Sequence, residues 1–547
     1  MLKSSKRISN VMPKIAAIDV GSNAMRLLIS EVSRNGTTKT IFSKREPVRL
    51  GADVFATGTI TPEILERSIE AFKGFRDICD NYQVLLIRAV GTSALREAKN
   101  SFAFVEDIFA ETGIRIEIIP GTEEARLIQL AVARTIDFRR KFAVVIDMGG
   151  GSTEVSLVLN GNIIVSETHK IGAVRLLHLL EVKKYPFKVF SRLVSEYVKG
   201  LRRELKREIG DRHVDLCVGT GGNFETLGGL RVKLLGKKEK DRLTLSDLEL
   251  IMERINSLSV EDRITRLGLR PDRADVIGPA AAVLAEIMRE AQVREVRLPA
   301  VGLKDGMIVD LIPHLQGGKA EIQRRQLLAF AQEMGRKYQT DMRHVESVRE
   351  RAIFLFDRML QIHRLGREAR LLLEVAALLH DIGHFISSDE HHKHSMYLIR
   401  ATPIIGLDKR SQDIISCIAR YHRKSLPRED HEVYRDFSKI DRLIVKKLSA
   451  LLRVADATDR GQGRVRDVAL RFQASRCIIT IQGSGEMLLE QWAIKKKADL
   501  FELQFHKKVE IVVKQPVRGR SGTKRKVRTA QKRPRLLSKS GRIRMTR

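Results

Sequence analysis

Two stretches of the chain share one pattern of apolar and polar positions. Residues 14–31, KIAAIDVGSNAMRLLISE, run apolar and β-rich to an aspartate, turn through glycine and a hydroxyl residue, and resume an apolar run. Residues 141–158, KFAVVIDMGGGSTEVSLV, repeat that plan, with Asp147 following Asp19 by 128 positions. A supersecondary unit repeated at that distance predicts a duplicated domain. Around the two units, helical patterns alternate with short strands such as VLLIRAV and RIEIIP, which predicts α/β architecture. The paired glycines of HLQGGKAEIQ (314–323) read as a linker. Beyond them strand character is lost, and long helical patterns such as ARLLLEVAALLHDIG run to about residue 460. Alternation returns over about 464–514 in VALRFQ, CIITIQ, FELQFH and VEIVVK, around one helix-like run, EMLLEQWAIKKK, predicting a small α+β appendage. From Pro516 onward there is no apolar periodicity, and a disordered tail is expected.

Composition sharpens this reading. The 547 residues suit three or four domains, and 43% hydrophobic with 30% charged residues suits a soluble globular protein. Cys79, Cys217, Cys417 and Cys477 are scattered without a CxxC pair. That excludes a disulfide scaffold and a cysteine zinc site, and it fits a reducing cytosol. No apolar run approaches the roughly 18 residues of a membrane span, so no membrane partner is expected. The basic start (Lys3, Lys6, Arg7) precedes an apolar run cut at Asp19, and a secretory leader is not expected. The net charge is +32, of which Pro516–Arg547 carries +13 without one acid, leaving +19 for the rest. A basic body favours an anionic ligand, and 5% aromatic content argues against a base-stacking platform.

The glycine turns supply candidate chemistry. Glycine between two strands lets backbone N–H groups approach phosphate oxygens. Gly21, Ser22 and Asn23 form one such loop, and Gly149, Gly150, Gly151 and Ser152 form a richer one. A third runs through Thr220, Gly221 and Gly222. Asp19 and Asp147 stand just before the first two loops, where a carboxylate suits a divalent cation.

The set DxGS, GGGST and GTGG resembles the actin, sugar kinase and acetate kinase superfamily, and within it the exopolyphosphatase/guanosine pentaphosphatase family. The matching pieces are IDVGSNAMRLLI, VGTSALREAKN, IIPGTEEARLI, VIDMGGGSTEVSLV, the GTGGN loop, RADVIGPAAAVL and VGLKDGMIVDL, in order over residues 14–312. Ala24 and Asn223 depart from the hydroxyl residues usual at those positions. The resemblance implies a duplicated actin-like (ribonuclease H-like) fold, with lobes at 1–135 and 136–315. It implies release of orthophosphate from inorganic polyphosphate or from guanosine pentaphosphate, with Mg²⁺ in a cleft between the lobes, and a homodimer. It assigns the catalytic carboxylate to Glu124 and a phosphate-binding role to Arg96. Independently, Thr122 reads as an N-cap that puts Glu123 and Glu124 in a first helical turn, where the helix end favours an ionised carboxylate. Glu154 either supports the metal beside Asp147 or makes a structural hydrogen bond. Rival readings are a kinase, a binding module that senses polyphosphate or an alarmone, and a nucleotide phosphohydrolase working from the helical region.

That region holds His344, the pair His380–Asp381, and Asp456, in the contexts MRHVESV, AALLHDIGHF and LLRVADATDR. Adjacent His and Asp on one helix diverge by about 100°, so both reach a metal above it. Imidazole and carboxylate ligands suit Mn, Fe, Mg or Zn. The set resembles the HD phosphohydrolase superfamily and implies an all-α HD-type domain at 320–462 with a second divalent metal, followed by the appendage at 463–514. His394 and His422 are candidates for extra ligands. The basic tail, 515–547, is a candidate for non-specific contact with polyphosphate or RNA, and the whole chain is expected in the cytoplasm.

Overall fold

The computed structural model describes residues 12–33, 35–179, 187–316, 319–461, 463–483 and 486–514. The basic tail lies outside the described residues. Two mixed sheets form the first part of the chain. The first has the order β3-β2-β1-β4-β5. It comprises β1 (Lys14–Val20), β2 (Met25–Val32), β3 (Thr38–Glu46), β4 (Leu86–Gly91) and β5 (Ile116–Ile118). β1 pairs antiparallel with β2 and parallel with β4, and this gives β1 the middle of the sheet. Its residues Ile15 to Ile18 are fully buried, as a strand covered on both faces requires.

The second sheet repeats the scheme with β6 (Phe142–Met148), β7 (Thr153–Leu159), β8 (Asn162–His169), β9 (Leu216–Thr220), β10 (Arg242–Thr244) and β11 (Glu295–Arg297). Its order is β10-β11-β9-β6-β7-β8, with β6 antiparallel to β7 and parallel to β9. The repeated unit seen in the sequence therefore occupies the same place in each sheet: a buried strand, a glycine turn, and an antiparallel partner. The duplicated α/β scheme expected for an actin-like fold is present in this pairing.

The helix Leu303–Gln316 crosses from the second sheet onto the helix Gly121–Val132, and the helix Lys319–Lys337 leads into the helical region. Of the stretch expected as a linker, the described residues on either side are helical, with Pro313 inside the first helix, while the paired glycines 317 and 318 lie outside the described residues. Helices continue to Lys439–Ala457 around a core of Leu372, Val375, Ile414, Leu448 and Leu451. The appendage is a three-stranded sheet of β12 (Val465–Phe472), β13 (Arg476–Gly483) and β14 (Lys508–Lys514), covered by two short helices. One of these is Asp499–Phe505, so FELQFH is helical rather than a strand. The strand ends that carry Asp19 and Asp147 meet between the two sheets.

Candidate active site

The two glycine turns close in the same way. Gly21 N–H donates to the Ala24 carbonyl at 3.2 Å, and Gly149 N–H donates to the Ser152 carbonyl at 3.0 Å. Strand register then sets Asp19 opposite Arg26 and Asp147 opposite Glu154. Arg26 donates to Asp19 at 2.8 Å. The third loop leaves β9 at Thr220, whose hydroxyl donates to Asp147 at 2.6 Å. Gly221 has φ +99°, and a Cβ there would lie 3.0 Å from the Met148 carbonyl, so the loop needs glycine.

Glu124 lies in the first turn of the helix Gly121–Val132, but the helix starts earlier than Thr122 would dictate. Pro120 holds the N-cap position, and its carbonyl accepts from the N–H groups of Glu123 and Glu124, each at 3.1 Å. Proline arrives with the backbone angle the helix start needs, so no side-chain cap is used. The two glutamates then diverge. Glu123 turns to Arg126, at 2.7 Å, while Glu124 is buried in the cleft.

Arg96, from the short helix Ser93–Glu97, joins the cleft groups. It donates to Glu124 at 2.9 Å, to the Ile119 carbonyl at 2.9 Å and to the Ser152 hydroxyl at 3.4 Å, and it lies 3.7 Å from Glu154. Ser152 in turn donates to Glu154 at 2.7 Å. Oxygens of Glu124, Asp147 and Glu154 all lie within 4.8 Å of one another. Burial pushes Glu124 up to about 7, against the pull of Arg96. Burial likewise raises Asp147 to about 6, opposed by Thr220 and reinforced by Asp19. Glu154 is raised well above its usual range by burial and by the charges of Glu124 and Asp147. One buried oxygen of Glu154 has no hydrogen-bond partner. Asp147 and Glu154, crowded together with one oxygen of Glu154 orphaned, fit a divalent cation.

The cleft is a cavity of about 260 Å³ bounded by the three loops and Glu124. Its walls also carry Arg26, Lys44, Arg45, Arg270, Arg273 and Lys304, a set that motif reading did not assemble. Arg26 had a local signal, a lone cation in an apolar strand. The others come from segments far apart in the chain. Burial, then the neighbouring Arg26, pushes Arg273 down to about 9. Asn223 accepts from Arg273 at 2.6 Å, which gives this departure from the usual hydroxyl a structural role. Asn23 donates to both the backbone and side chain of Asp272, each at 3.1 Å, tying the first sheet's turn to the second half.

The helical region gathers a second cluster. His344 lies on the helix Met342–Arg358 and Asp456 on Lys439–Ala457. The pair His380–Asp381 does not share a helix: Arg367–Leu379 ends before it, His380 is its C-cap, and Asp381 precedes a 3-10 turn. His344 Nε2 lies 3.6 Å from Asp381 and 3.5 Å from Asp456, and His380 Nε2 lies 3.6 Å from Asp381 and 4.0 Å from Asp456. His422 approaches Asp381 at 3.7 Å. From the histidine-rich helix His391–Ala401 it is His391, not His394, whose ring reaches Asp381, at 3.4 Å. Burial pushes His391 down to about 4 and also holds His422 well below the usual imidazole range. Burial opposes the charging of His344, but hydrogen bonds to Asp456 and Asp459 outweigh it and hold the ring up to about 10.

A family model described as Ppx/GppA phosphatase family matches residues 28–315, more than half of the chain. The chain belongs to this family. A second model, Ppx/GppA phosphatase, domain III, matches residues 328–509, a span that reaches across both units expected at 320–462 and 463–514. The guanosine-5'-triphosphate,3'-diphosphate pyrophosphatase of Photobacterium profundum is 26% identical over 79% of this chain and 86% of its own length. The protein of the same name from Pseudoalteromonas translucida is 24% identical over 90% of this chain and 91% of its own. Among solved structures, an exopolyphosphatase from Cytophaga hutchinsonii has a TM-score of 0.51 at 24% identity, covering 56% of this chain and 98% of its own. An exopolyphosphatase-like protein has a TM-score of 0.50 at 27% identity, covering 56% of this chain and 99% of its own. As a Ppx/GppA phosphatase the chain is a phosphoanhydride hydrolase.

Proposed function

We propose that the protein is an exopolyphosphatase that removes the terminal phosphate of inorganic polyphosphate as orthophosphate. The observation that carries this reading is Glu124, buried in the cleft, raised to about 7 and held by Arg96 at 2.9 Å beside the glycine turns. The backbone N–H groups of Ser22 and Asn23, of Gly150 to Ser152, and of Gly221 and Gly222 seat the terminal phosphates. Arg96 orients a phosphoryl oxygen and Glu124 together. Glu124 takes a proton from water as its oxygen bonds to phosphorus, the phosphoanhydride P–O bond breaks, and the shortened chain leaves with the electron pair. Asp19, Asp147 and Glu154 are the residues for Mg²⁺, which when bound neutralises phosphate charge. The Arg and Lys wall suits a long polyanion.

A second reading, hydrolysis of guanosine pentaphosphate, is favoured by the names of the relatives from Photobacterium profundum and Pseudoalteromonas translucida. The helical region is read as binding one divalent ion through His344, His380, Asp381 and Asp456. The fully buried His380, whose Nε2 has no hydrogen-bond partner, supports this. Four free, buried cysteines fit a cytoplasmic location. Family resemblance supports a homodimer, and the charge of the tail supports contact with polyanions.

The deciding experiment is phosphate release by the full chain with Mg²⁺ on each substrate, for wild type and Glu124→Gln. Polyphosphate should be shortened, with turnover falling ~10²–10⁴-fold in the variant. Turnover on guanosine pentaphosphate alone selects the second reading. Retained turnover in Glu124→Gln removes Glu124 from the chemistry, and loss of polyphosphate only with ADP present would make the protein a kinase.

A further inference from the structure

The helix Leu488–Lys497 of the appendage is turned inside out. Its sequence, LLEQWAIKKK, opens with three large apolar side chains and one acid. A helix folded for its own stability faces its apolar side chains inward and its acids outward. Here Glu490 is fully buried, while Leu488 is 65% exposed, Leu489 44% and Trp492 57%. Both carboxyl oxygens of Glu490 lack a hydrogen-bond partner. Gly461 leaves the room it fills, since a Cβ there would strike the Glu490 carboxyl. Burying a carboxyl without a partner is unfavourable, and so is leaving two leucines and a tryptophan in water. The inward apolar pair, Ala493 and Ile494, is smaller than the outward set. Packing within the chain does not account for this orientation, and a partner on the outer face does.

That face runs from apolar to cationic. Leu488, Trp492 and Lys496 stand four apart along the helix and so share one stripe. The Lys496 ammonium lies 4.7 Å from the centre of the Trp492 ring, and Lys495 beside it is exposed. The next helix, Asp499–Phe505, exposes Leu503. β14 packs against Leu488–Lys497 and ends at Lys514, and Pro516–Arg547 then carries +13 without one acid.

An anionic lipid surface complements each part of this face. The boundary between headgroups and acyl chains takes leucine side chains and the amphipathic ring of tryptophan. Anionic headgroups take the lysines and the basic segment that follows. Nucleic acid would match the lysines but would leave Leu488 and Leu489 in water. A second copy of the chain would bring its own net charge of +32 against the same lysines.

We propose that the outer face of Leu488–Lys497 docks the protein on an anionic lipid surface. Leu488, Leu489 and Trp492 enter the headgroup boundary, and Lys495, Lys496 and the basic tail lie on the headgroups. The expectation of no membrane partner rested on the lack of an apolar run long enough to span, which a contact with one leaflet does not need. Among the described residues no helix is long and apolar enough to cross a membrane, so the contact is peripheral.

Trp492 is the only tryptophan of the chain, so its emission reports its own surroundings. The test titrates full-length protein with vesicles of equimolar phosphatidylcholine and phosphatidylserine, and with vesicles of phosphatidylcholine alone. The anionic vesicles should co-sediment with the protein, shift Trp492 emission to the blue, and quench it when their acyl chains carry bromine. Neutral vesicles should bind more weakly, and added salt should weaken binding to the anionic ones. Leu488→Gln/Leu489→Gln should lower affinity for anionic vesicles roughly tenfold or more, because two apolar side chains no longer leave water. Lys495→Gln/Lys496→Gln should lower it by roughly tenfold. Phosphate release should be unchanged in both, since no cleft group is touched. Binding with Trp492 emission unmoved, or with unchanged affinity in both double variants, assigns the contact to the tail and overturns the docking face. Failure to sediment with anionic vesicles also overturns it. A dimer that the leucine variant dissolves would then make the face an interface between copies, and a Trp492 response to RNA alone would make it a nucleic-acid surface. Circular dichroism and Tm establish that each variant is folded, and two separate double variants keep the result decisive if one is not.

Discussion

At Glu124, burial and ion pairing pull in opposite directions. Burial favours the neutral acid, and Arg96 at 2.9 Å favours the carboxylate, with burial ahead and the group at about 7. Catalysis needs the proton gone, so kcat/KM should rise with pH through about 7, the range of Glu124. Stability should run the other way. The folded carboxyl keeps its proton above the ordinary 4.5, so the stability it contributes is complete below 4.5 and is lost as pH rises through about 7. Glu124→Gln carries a permanent neutral mimic. Its Tm advantage over wild type should therefore be small at pH 4.5 and grow towards pH 7.5, and a constant difference across that range would contradict the buried charge. Arg96→Lys tests the partner. An ammonium is a point charge and does not reproduce the guanidinium's simultaneous bonds to Glu124, Ile119 and Ser152. Misplacement of this kind costs on the order of 10²-fold, which kcat/KM on polyphosphate of fixed length would read.

The helix that carries Glu124 is positioned by a close crossing. Gly306, on the helix Leu303–Gln316, faces the backbone of Leu127 so tightly that a Cβ there would lie 1.9 Å from the Leu127 carbonyl oxygen. Backbone has no rotamer with which to yield, so Gly306→Ala must push the helices apart. Overpacking typically costs about 1–3 kcal/mol, and the shift is passed directly to Glu124. Lower Tm and reduced kcat should appear together, and wild-type kcat in a folded Gly306→Ala protein would contradict the coupling. Elements were legible in the sequence where the pattern was local. The buried run, aspartate and glycine turn of β1–β2 and β6–β7 are such a case, because a strand covered on both faces leaves an unbroken apolar string. FELQFH misled because its apolar positions satisfy two periods. Phe501, Leu503 and Phe505 alternate as in a strand, while Phe501 and Phe505 also stand four apart and are the buried pair of a helix, with Leu503 exposed. From the HHKH run the expectation fell on His394, but the helix starting at His391 turns the His391 ring towards Asp381 instead. The cleft cations were illegible for a different reason. Nothing local distinguishes Arg45, Arg270 or Lys304 among 99 Lys and Arg, because tertiary structure alone brings them to one wall.

Over the whole molecule, the charge of +32 is distributed in a way that bears on substrate capture. Six cations line the cleft proposed to take the end of a polyanion, and a further +13 follows Gln515. Lys524–Arg525–Lys526 and Lys532–Arg533 lie in that stretch with no acid to neutralise them. The cleft cations act on a bound chain at contact distance, well inside the screening length. Attraction to the tail passes through solvent and is screened over about 10 Å at 0.1 M salt. Removing the residues after Gln515 should therefore separate the two effects. Affinity for long polyphosphate and for RNA should fall at low salt. The dependence of affinity on salt should become shallower, because fewer counterions are released on binding. Turnover on saturating short polyphosphate should change little, since the cleft, Glu124 and Arg96 are untouched. The measurement is binding of both polyanions by full-length and truncated protein from low to physiological salt, with kcat followed in parallel. Equal affinities at low salt would assign polyanion capture to the body of the protein and its +19, with the tail a passive extension.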